Sequence, residues 1–406
     1  MSNPKKTIIF LGDGMADESI ESLGNRTPLQ VARTPAMDSI ARRGRCGTLL
    51  TLPEGFPTSS DVANMSVLGC VLKTDYCGRG ALEAAGRGIA LAADDVAFRA
   101  NLTTTEDGIL RDFSGGHIDP EPAAQLIELL NDAFATPTIR FHSGVSYRNI
   151  LVLSGPEYSS DVKADKPDDN HGNPVSEHLP TAKTPEAEAT AALLRRLIAE
   201  APAVLANSDV VATLVADGHP PANGIWPWSG GRAGAIRSLG EKYGISSAVI
   251  SAVDVITGLG VCLGMTPIPV EGATGYIDTN YEGKADAAIE AIKTHDLVYV
   301  HVEAIDEVSH AQDLDLKLSA IEDFDKRVVE RVLNGIDSDV RTVVLPDHPV
   351  PIRLGKHTRT PVPVAIHDPD LGADEVLTFD ESACLDGALD HMQGPELMAR
   401  LFGPVR

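Results

Sequence analysis

The sequence predicts an α/β protein whose central, mainly parallel sheet is flanked by helices. Three near-continuous apolar runs, at residues 6–14, 296–306 and 340–348, are typical of parallel strands that are buried on both faces. Polar turns and stretches of helical periodicity alternate with such runs along the chain, as they do in α/β domains. At 406 residues the chain is too long for one small core, so we expect two domains, or one domain with a large insertion.

The elements follow in order along the chain. The first strand, "KTIIFLGDG", contains a continuous apolar run, and the second and third, "DLVYVHVEAID" and "VRTVVLPDH", have the same character. Apolar positions that recur at the spacing of one helix face predict the helices. These helices are predicted at 35–43, 121–132, 185–200, 281–293 and 313–334.

Two polar stretches interrupt this pattern. Residues 155–184 are rich in Pro, Asp and Ser, and we expect them to form a long surface loop. Residues 217–234, which carry both tryptophans, are expected to form a second break with a Gly-rich turn.

The charge balance argues against several kinds of partner. The chain carries 34 basic and 58 acidic residues and a formal charge of -24, whereas nucleic acid and anionic membranes need a basic protein face. We therefore expect neither as a partner, and we expect a small anionic substrate only where a few arginines reverse the field locally.

Five cysteines, an odd number without a C-x-x-C pair, fit a reducing cytoplasm. No run approaches the roughly 20 apolar residues of a membrane span, and the oligomeric state stays open.

Aspartates stand at the end of all three predicted strands. The carboxyl ends of parallel strands meet at one edge of a sheet, where the chemistry of open α/β folds is found. Asp13, Asp306 and Asp347 are therefore expected to lie close together. Three buried like charges repel strongly unless a cation neutralises them. The sequence thus predicts a metal centre at this edge.

Histidines accompany two of these carboxylates. The four-residue spacing puts Asp306 and His310 on one side of a helical turn, where both can bind one ion. Asp347 and His348 are neighbours, and neighbours face opposite ways in a strand, so both reach the site only if the strand has ended or if they serve two metals. His357 follows in the same segment. A single pair of this kind often arises by chance, but the joint placement favours a two-metal site, and mixed carboxylate and imidazole ligands suit manganese or zinc better than calcium.

The stretch "FPTSSDVANMSVLG", at 56–69, places Ser60 and Asp61 directly ahead of an apolar run. A serine there is typical of a helix N-terminus, where its oxygen accepts the free N–H groups of the first turn. The same position favours a bound phosphate, because backbone N–H groups and the helix dipole point at it. From these residues alone, both a helix cap and a nucleophile stay open for Ser60.

With these residues assembled, the chain resembles the archaeal-type, cofactor-independent phosphoglycerate mutases of the alkaline phosphatase superfamily over essentially its whole length. Five segments carry the similarity: "DGMADESIESLGNRTPLQVARTPAMDSIARRG", "SSDVANMSVLG", "GRGALEAAGRGI", "VEAIDEVSHAQDLDLKLSAIEDFD" and "PDHPVPIRLGKHTRTPVPVAIH". The resemblance implies an alkaline-phosphatase-like α/β catalytic domain built from residues 1–79 and 241–406. It also implies a smaller inserted α/β substrate domain at 80–240.

The resemblance further implies two divalent metal ions, with manganese the expected metal and zinc or magnesium the alternatives, and no 2,3-bisphosphoglycerate. Ligand roles fall on Asp13, Ser60, Asp347 and His348 for one ion and on Asp306, His310 and His357 for the other. Ser60 is implied to be the catalytic residue that is phosphorylated in turnover, since coordination to a metal lowers the pKa of a hydroxyl group.

The implied activity is the interconversion of 3-phosphoglycerate and 2-phosphoglycerate through a phosphoserine intermediate, a step of glycolysis and gluconeogenesis. The segments "GMADE" and "NGIWPW" also resemble a bacterial branch of the family for which a homoserine kinase role has been proposed. A homoserine kinase-like phosphotransferase or a metal-dependent phosphomonoesterase is therefore the alternative. A purely structural metal protein is disfavoured, because structural sites usually close with four ligands, whereas seven candidates cluster here.

Arg79, Arg148 and Arg232 resemble family positions that bind the phosphate and carboxylate of the substrate, and a planar guanidinium group suits such oxyanions. Pairing of each arginine with a surface acid is the alternative. The sequence departs from the family at Thr257, where a lysine is expected to neutralise the transferring phosphoryl group. Lys284 is the candidate replacement for that lysine.

Overall fold

The computed structural model describes residues 4–232, 234 and 236–405. The chain divides into two compact units, which are described separately. Unit 1 comprises Met1–Tyr76 and Ile236–Arg406, and unit 2 comprises Cys77–Ala235. Unit 2 is thus inserted between the two segments of unit 1. The sequence predicts an insertion at 80–240, and its role in substrate binding stays a prediction.

The secondary structure is as follows. The strands are β1 (Thr7–Gly12), β2 (Arg45–Leu50), β3 (Val96–Glu106), β4 (Ile109–Asp112), β5 (Ile139–Val145), β6 (Arg148–Leu153), β7 (Val162–Lys163), β8 (Thr181–Ala182), β9 (Gly224–Arg232), β10 (Ser247–Ile250), β11 (Thr266–Pro267), β12 (Leu297–Val302), β13 (Arg341–Pro346), β14 (Val362–His367) and β15 (His391–Gln393). The α-helices are α1 (Pro28–Val31), α2 (Pro35–Arg43), α3 (Ser60–Val67), α4 (Leu72–Asp75), α5 (Arg79–Gly86), α6 (Pro120–Phe134), α7 (Glu188–Leu205), α8 (Asp209–Ala216), α9 (Leu239–Tyr243), α10 (Asp254–Cys262), α11 (Tyr281–Ala291), α12 (Ala304–His310), α13 (Leu314–Asp323), α14 (Arg331–Gly335) and α15 (Glu396–Phe402). A π-helix, Phe324–Glu330, joins α13 to α14.

In the part of the chain that the structure describes, unit 1 is built on an eight-stranded sheet in the order β11-β10-β12-β1-β13-β14-β2-β15. β1 lies parallel to β12 on one side and to β13 on the other, and β10 and β11 continue the parallel part. β14 is antiparallel to both of its neighbours, β13 and β2. Every residue of β1 and β12 is buried, as expected for strands covered on both faces. The predicted fold class, α/β with a central, mainly parallel sheet, is confirmed.

Helices pack on this sheet and bury an apolar cluster against it. Phe10 of β1 and Val300 of β12 share the cluster with Ile40 of α2, Ala285 of α11 and Val328 of the π-helix, and all five side chains are fully buried. Each large apolar side chain removed from water in this way contributes about 1.5–3 kcal/mol. The cluster anchors the central strands, whose carboxyl ends lead into the predicted metal ligands.

The helices predicted from apolar periodicity are confirmed as α2, α6, α7, α11 and the continuous run from α13 through the π-helix to α14. Their ends differ by a few residues from the predicted ones, as helix termini usually do. α7 extends furthest beyond its predicted end, since it continues to Leu205 with Pro202 in its last turn.

The start of α2 is held by a carboxylate from the π-helix. Thr34 stands at the N-cap, but its side chain caps no N–H group in the described structure. Asp325, which is 1% exposed, accepts from the backbone N–H groups of Met37 at 2.7 Å and Ala36 at 3.2 Å. The N–H groups that open a helix need such acceptors. A contact between distant elements therefore replaces the local cap.

Unit 2 has its own sheet, in which β3 pairs with β6, β4 and β9, and β5 pairs with β6. The prediction of a break at 217–234 is wrong for its second half, because Gly224–Arg232 forms the strand β9. Pro227 has no N–H group to give to a ladder. β9 tolerates it because the described sheet pairs this strand with β3 alone, and an edge strand can carry a proline.

The predicted long loop at 155–184 is confirmed, since it consists of irregular chain, short 3-10 turns and the paired two-residue strands β7 and β8. Across the described residues, no single helix has both the length and the apolar content of a membrane span. One bent pair, Pro185–Leu205 with Asp209–Ala216, reaches them only when its two helices are counted together.

Candidate metal centre

Asp13 and Asp347 meet because the strands that lead into them are neighbours. Asp13 follows β1, Asp347 follows β13, and the two strands pair in parallel. Gly14 makes the turn after Asp13 with a φ of +64°, which L side chains rarely adopt. A Cβ atom on Gly14 would lie 2.8 Å from the Cα and Oδ1 atoms of Asp306. The glycine therefore lets the loop after β1 approach the third carboxylate.

His348 brings the first predicted ligand set together. Its Nε2 atom lies 3.4 Å from Oδ1 of Asp13, 3.3 Å from Oδ2 of Asp347 and 3.2 Å from Oγ of Ser60. β13 ends at Pro346, so Asp347 and His348 are free of the strand alternation and both reach the site. Asp13, Asp347 and His348 are fully buried. These four side chains could hold one metal ion.

Asp347 is held by hydrogen-bond donors that the sequence patterns do not reveal. Its Oδ1 accepts from the backbone N–H groups of Gly14 at 3.1 Å and His348 at 2.8 Å, and its Oδ2 accepts from Nδ2 of Asn64 at 2.9 Å. Tyr299 donates its hydroxyl proton to Oδ1 of Asn64, which fixes the orientation of the amide. Asn64 and Tyr299 therefore hold the Asp347 carboxylate in position.

Asp306, His310 and His357 form the second predicted set. Nε2 of His310 lies 3.3 Å from Oδ2 of Asp306, one turn away in α12, and Nε2 of His357 lies 3.4 Å from Oδ1 of the same carboxylate. The two Nε2 atoms are 2.8 Å apart. Nδ1 of His310 donates to the carbonyl oxygen of Gly355 at 2.8 Å, which leaves the Nε2 lone pair available to a metal. Metal–ligand distances of about 2.0–2.2 Å fit donor atoms at these separations, so this set could hold a second ion.

The two ligand sets are contiguous. Ligand atoms of Asp306, His348 and His357 lie within 4.8 Å of one another, as do those of Asp13, Asp347 and His348. The His348 and His357 rings stack with their centroids 3.8 Å apart. Ions held at both sets would be close neighbours, as they are in two-metal sites.

Buried oxygens without protein partners show where a cation fits. Oδ1 of Asp13 and Oδ1 of Asp306 have no hydrogen-bond partner among the described residues, although both side chains are almost fully buried. Both carboxylate oxygens of Asp61, next to Ser60, are in the same situation. Buried polar atoms are otherwise nearly always paired. Carboxylate oxygens and imidazole nitrogens together fit a divalent ion such as manganese or zinc.

The pKa values of the buried carboxylates also indicate that the site binds a cation. Burial, together with the charge of Asp306, raises the pKa of Asp347 to about 7. Burial and the neighbouring Asp347 raise the pKa of Asp13 well above its usual value, and burial with Asp306 raises the pKa of Glu303 to about 8. Burial also acts to raise the pKa of Asp306, but its interactions with the two adjacent histidines outweigh it and hold that pKa well below its usual value. Four carboxylates this close ionise together only when positive charge is added, which a divalent ion supplies.

Ser60 opens α3 but does not cap it. The N-cap residue is Ser59, and Ser60 is the first residue of the eight-residue helix. The Ser60 hydroxyl group instead lies 3.2 Å from Nε2 of His348. The capping alternative for Ser60 is therefore wrong. The serine oxygen lies beside the first ligand set, at a helix N-terminus that favours negative charge.

In unit 2, the predicted Arg79 and the unpredicted Arg99 lie near Glu83, and the predicted Arg148 lies near Arg99. Nε of Arg79 lies 2.8 Å from Oε1 of Glu83, and Nε of Arg99 lies 3.2 Å from Oε2. Burial lowers the pKa of Arg99 to about 10, and the nearby charges of Arg79 and Arg148 act in the same direction. Arg99 also stacks on Trp228, with Cζ 4.5 Å from the ring centroid. Arg79, Arg99 and Arg148, here called the arginine cluster, thus bring three positive charges close together, with Glu83 and Asp168 as acids whose charges act on Arg99.

The other predicted substrate residues have different surroundings. Nη2 of Arg232 donates to the carbonyl oxygen of Tyr158. Lys284 is fully buried in unit 1, where Nζ donates to the carbonyl oxygen of His301 at 3.2 Å and burial lowers the lysine pKa to about 8. Thr257 lies on α10, which packs against α3. The substrate roles of Arg232 and Lys284 stay predictions, and for Lys284 the burial favours an effect through charge over a direct contact.

The chain has relatives among known proteins. The 2,3-bisphosphoglycerate-independent phosphoglycerate mutase of Methanosarcina mazei is 47% identical to it over 401 residues, which are 98% of this chain and 99% of the relative. The chain belongs to the 2,3-bisphosphoglycerate-independent phosphoglycerate mutase family. The model of that family matches residues 41–211. The predicted resemblance to these phosphoglycerate mutases is therefore confirmed.

Two solved structures share the fold over nearly the whole chain. A cofactor-independent phosphoglycerate mutase from Thermoplasma acidophilum aligns with a TM-score of 0.68 and 28% identity, and the alignment covers 98% of each chain. A protein from Pyrococcus horikoshii aligns with a TM-score of 0.83 and 25% identity, covering 98% of this chain and 97% of the other. The similarity to phosphoglycerate mutases thus includes both the segments with the predicted metal ligands and the inserted unit 2.

Proposed function

We propose that this protein is an isomerase that interconverts 3-phosphoglycerate and 2-phosphoglycerate without 2,3-bisphosphoglycerate. The observation that carries the proposal is the position of the Ser60 hydroxyl group, 3.2 Å from Nε2 of His348 at the N-terminus of α3. A hydroxyl group in this place can accept a phosphoryl group, since helix N–H groups and an adjacent cation stabilise the negative charge. Family membership supports the same activity. The cytoplasmic location belongs to this proposal and rests on the cysteine pattern alone.

Two divalent ions would complete the site, and manganese is the metal we propose because the ligands mix carboxylate oxygens with imidazole nitrogens. The orphaned oxygens of Asp13 and Asp306 support this assignment. When bound, the ions lower the pKa of the serine hydroxyl group and neutralise the transferring phosphoryl oxygens. The ligands would be Asp13, Ser60, Asp347 and His348 for one ion and Asp306, His310 and His357 for the other.

The residues of the chain would divide the reaction into two transfers. The bond from phosphorus to the Ser60 oxygen forms as the bond to one oxygen of glycerate breaks, and the proton that Ser60 loses is balanced by the one that this glycerate oxygen gains. Glycerate then reorients, and its other hydroxyl group gives up its proton and takes the phosphoryl group as Ser60 regains a proton. Asn64 and the backbone N–H group of Gly14 keep the Asp347 carboxylate aligned throughout. No second phosphoglycerate is consumed in this cycle.

The arginine cluster of unit 2 would bind the anionic groups of the substrate. Arg79 and Arg148 offer planar guanidinium groups, which bind carboxylate and phosphate in a fork. Arg99 adds a buried charge beside them. Such a cluster reverses the field locally on a protein with a formal charge of -24.

A coupled assay tests the proposal. Purified protein, 3-phosphoglycerate, Mn²⁺ and enolase are mixed without 2,3-bisphosphoglycerate, and the formation of phosphoenolpyruvate is followed. We expect turnover that a chelator abolishes and that Mn²⁺ restores. Phosphate release at the rate of substrate loss would identify a phosphatase, and phosphohomoserine formed from ATP and homoserine without mutase turnover would identify the kinase alternative. Full activity after complete removal of metal would contradict the two-metal site.

A further inference from the structure

A buried histidine lies behind the first ligand set. His301 is fully buried in β12, which pairs with β1 on one side and with β10 on the other. Its partner in β1 is Leu11, two residues before Asp13. On the opposite side, Ser251 directly follows β10. The strand order therefore places the imidazole ring between Asp13 and Ser251.

The hydrogen bonds around this ring fix the position of its proton. The backbone N–H group of Val253 donates to Oγ of Ser251 at 3.0 Å, so this oxygen is already an acceptor and can donate its own proton. Nδ1 of His301 lies 3.2 Å from the same oxygen, within reach of that proton. An ionised Asp13 carboxylate only accepts hydrogen bonds, so a ring proton lies on Nε2 and Nδ1 is left to accept from Ser251. Nε2 donates it to Oδ2 of Asp13 at 2.9 Å.

This arrangement selects the oxygen that Asp13 presents to the metal centre. Oδ2 of Asp13 is taken by His301, whereas Oδ1 has no partner within the described ranges and lies 3.4 Å from Nε2 of His348. A carboxylate held at one oxygen loses rotational freedom, and its other oxygen is turned towards a cation. Lys284 donates to the backbone carbonyl oxygen of His301 at 3.2 Å and so holds the strand at this point.

We infer that His301 is a positioning residue that orients Asp13 for the first metal ion, and that Ser251 selects the tautomer of His301 that can do so. The inference rests on the metal centre of the proposed function. It adds to the predicted ligands a residue that acts through one of them. Removal of a group that orients a metal ligand typically weakens metal binding by about 10- to 100-fold.

The same atoms allow a competing interpretation, in which a third cation lies among Asp13, His301 and Glu303. Their ligand atoms lie within 4.8 Å of one another, with Nε2 of His301 3.6 Å from Oε2 of Glu303. A cation there needs the lone pair of Nε2. The contacts of the ring with Ser251 and with the Asp13 carboxylate together fit a proton on Nε2 instead, so the geometry favours positioning, and a third ion becomes an outcome of the test.

Binding of Mn²⁺ alone tests the inference, since it needs neither substrate nor turnover. Free Mn²⁺ is measured by electron paramagnetic resonance during titration into wild type, His301→Leu, His301→Gln and Ser251→Ala. We expect two ions on the wild type, and on His301→Leu one ion bound about 10- to 100-fold more weakly with the other unchanged. His301→Gln keeps an N–H donor and should recover part of the loss, and Ser251→Ala should show a smaller loss. His295→Leu, at a histidine that follows α11, is the matched control and should bind as the wild type does.

Unchanged binding of both ions by His301→Leu would overturn the inference. Three ions on the wild type and two on the variant would also overturn it and would identify the third cation site. Equal weakening of both ions in all His301 variants would show that the ring is merely structural. If His301→Leu does not fold, His301→Gln and Ser251→Ala decide the question by the same criteria. The titration contains no phosphoglycerate, so a failed mutase assay leaves its result intact, whereas a wild type that binds no Mn²⁺ would refute the metal centre itself.

Discussion

Lys317 is a buried charge that joins the two loops on which the first ligand set depends. Its Nζ donates to Oδ2 of Asp17 at 2.8 Å and to the carbonyl oxygen of Val350 at 2.9 Å, and neither charged side chain is exposed. The backbone N–H group of Ile352 donates to the same Asp17 oxygen at 3.1 Å. One ammonium group thus connects the loop after β1 to the loop after β13.

Lys317→Met should destabilise the protein by about 3–5 kcal/mol, because it leaves the Asp17 carboxylate buried without its partner charge. The matched control is Arg331→Met, which removes one partner of an exposed ion pair with Asp286. Loss of an exposed pair should cost at most about 1 kcal/mol. Urea unfolding followed by circular dichroism measures both variants, and equal losses would show that burial of the pair is not the cause.

Ser60→Ala should abolish mutase turnover and leave the free energy of unfolding within about 1 kcal/mol of wild type, because Ser60 is not the cap of α3. Ser59→Ala, at the N-cap, is the control and should retain turnover. Mass spectrometry after incubation with 3-phosphoglycerate should find the phosphate of the wild type on Ser60. Near-normal turnover by Ser60→Ala would assign the chemistry to Ser59 or to water.

Part of the candidate site could be predicted because its residues stand where apolar runs end. Asp13 and Asp347 follow strands of continuous apolar character, so the pattern alone marks the edge of the sheet. His301, Asn64 and Arg99 lie inside buried elements, where one polar residue looks like any paired core group until its partner is known. The signal available for them was a polar side chain within an otherwise apolar strand or helix.

The helix α2 and the π-helix depend on each other through Asp325. Burial raises the pKa of this carboxyl group from 3.8 to about 6, although the N–H groups of Met37 and Ala36 act in the opposite direction. A carboxyl group with a raised pKa binds its proton more tightly in the folded state. Its contribution to stability is therefore fully present below about pH 4 and is lost as the pH rises through 6.

Asp325→Asn should remove this pH dependence from the free energy of unfolding. Between pH 4 and pH 7 the wild type should lose on the order of 2–3 kcal/mol relative to the variant, at about 1.4 kcal/mol per pKa unit. At low pH the variant should be less stable by about 1 kcal/mol, because one helix N–H group loses its acceptor. Asp315→Asn, the same substitution at an exposed position of α13, should follow the wild type. Urea unfolding at stepped pH measures all three proteins, and parallel profiles for Asp325→Asn and wild type would contradict the raised pKa.

Strands buried on both faces could be predicted from their own residues, but others could not. β1, β12 and β13 each contain a run of apolar residues, and such sequences leave few alternatives. β9 contains Pro227 and several glycines, which locally favour a break, and it becomes a strand because long-range hydrogen bonds to β3 outweigh that preference. The antiparallel direction of β14 follows from how the chain returns to the sheet, which no local pattern records.

The predicted metal ligands and the arginine cluster belong to different units of the chain. The seven ligands lie in unit 1, and Arg79, Arg99 and Arg148 lie in unit 2. If unit 1 carries out the phosphoryl chemistry and unit 2 holds the substrate, mutations should separate the two contributions in the kinetics.

Arg148→Ala should lower kcat/KM of the mutase reaction by roughly 10- to 100-fold, because a charge-assisted contact of about 1.5–3 kcal/mol is lost. Hydrolysis of p-nitrophenyl phosphate should change little, since that reaction needs no reorientation of glycerate. Arg140→Ala, at an exposed position of β5, is the control for loss of a positive charge in unit 2. An equal fall in both reactions, or no fall in either, would contradict the division of labour.

The insertion of unit 2 also sets an order in time during synthesis. β1 leaves the ribosome early, yet both strands that flank it, β12 and β13, begin at Leu297 and Arg341. At about 5–20 residues per second, the roughly 290 residues between β1 and its first neighbour take about 15–60 s to make. Unit 2 is continuous in sequence and can fold within that interval, while the apolar segment "TIIFLG" has no partner strand beside it. The nascent chain therefore has to keep this apolar segment from aggregating until its neighbouring strands have been made.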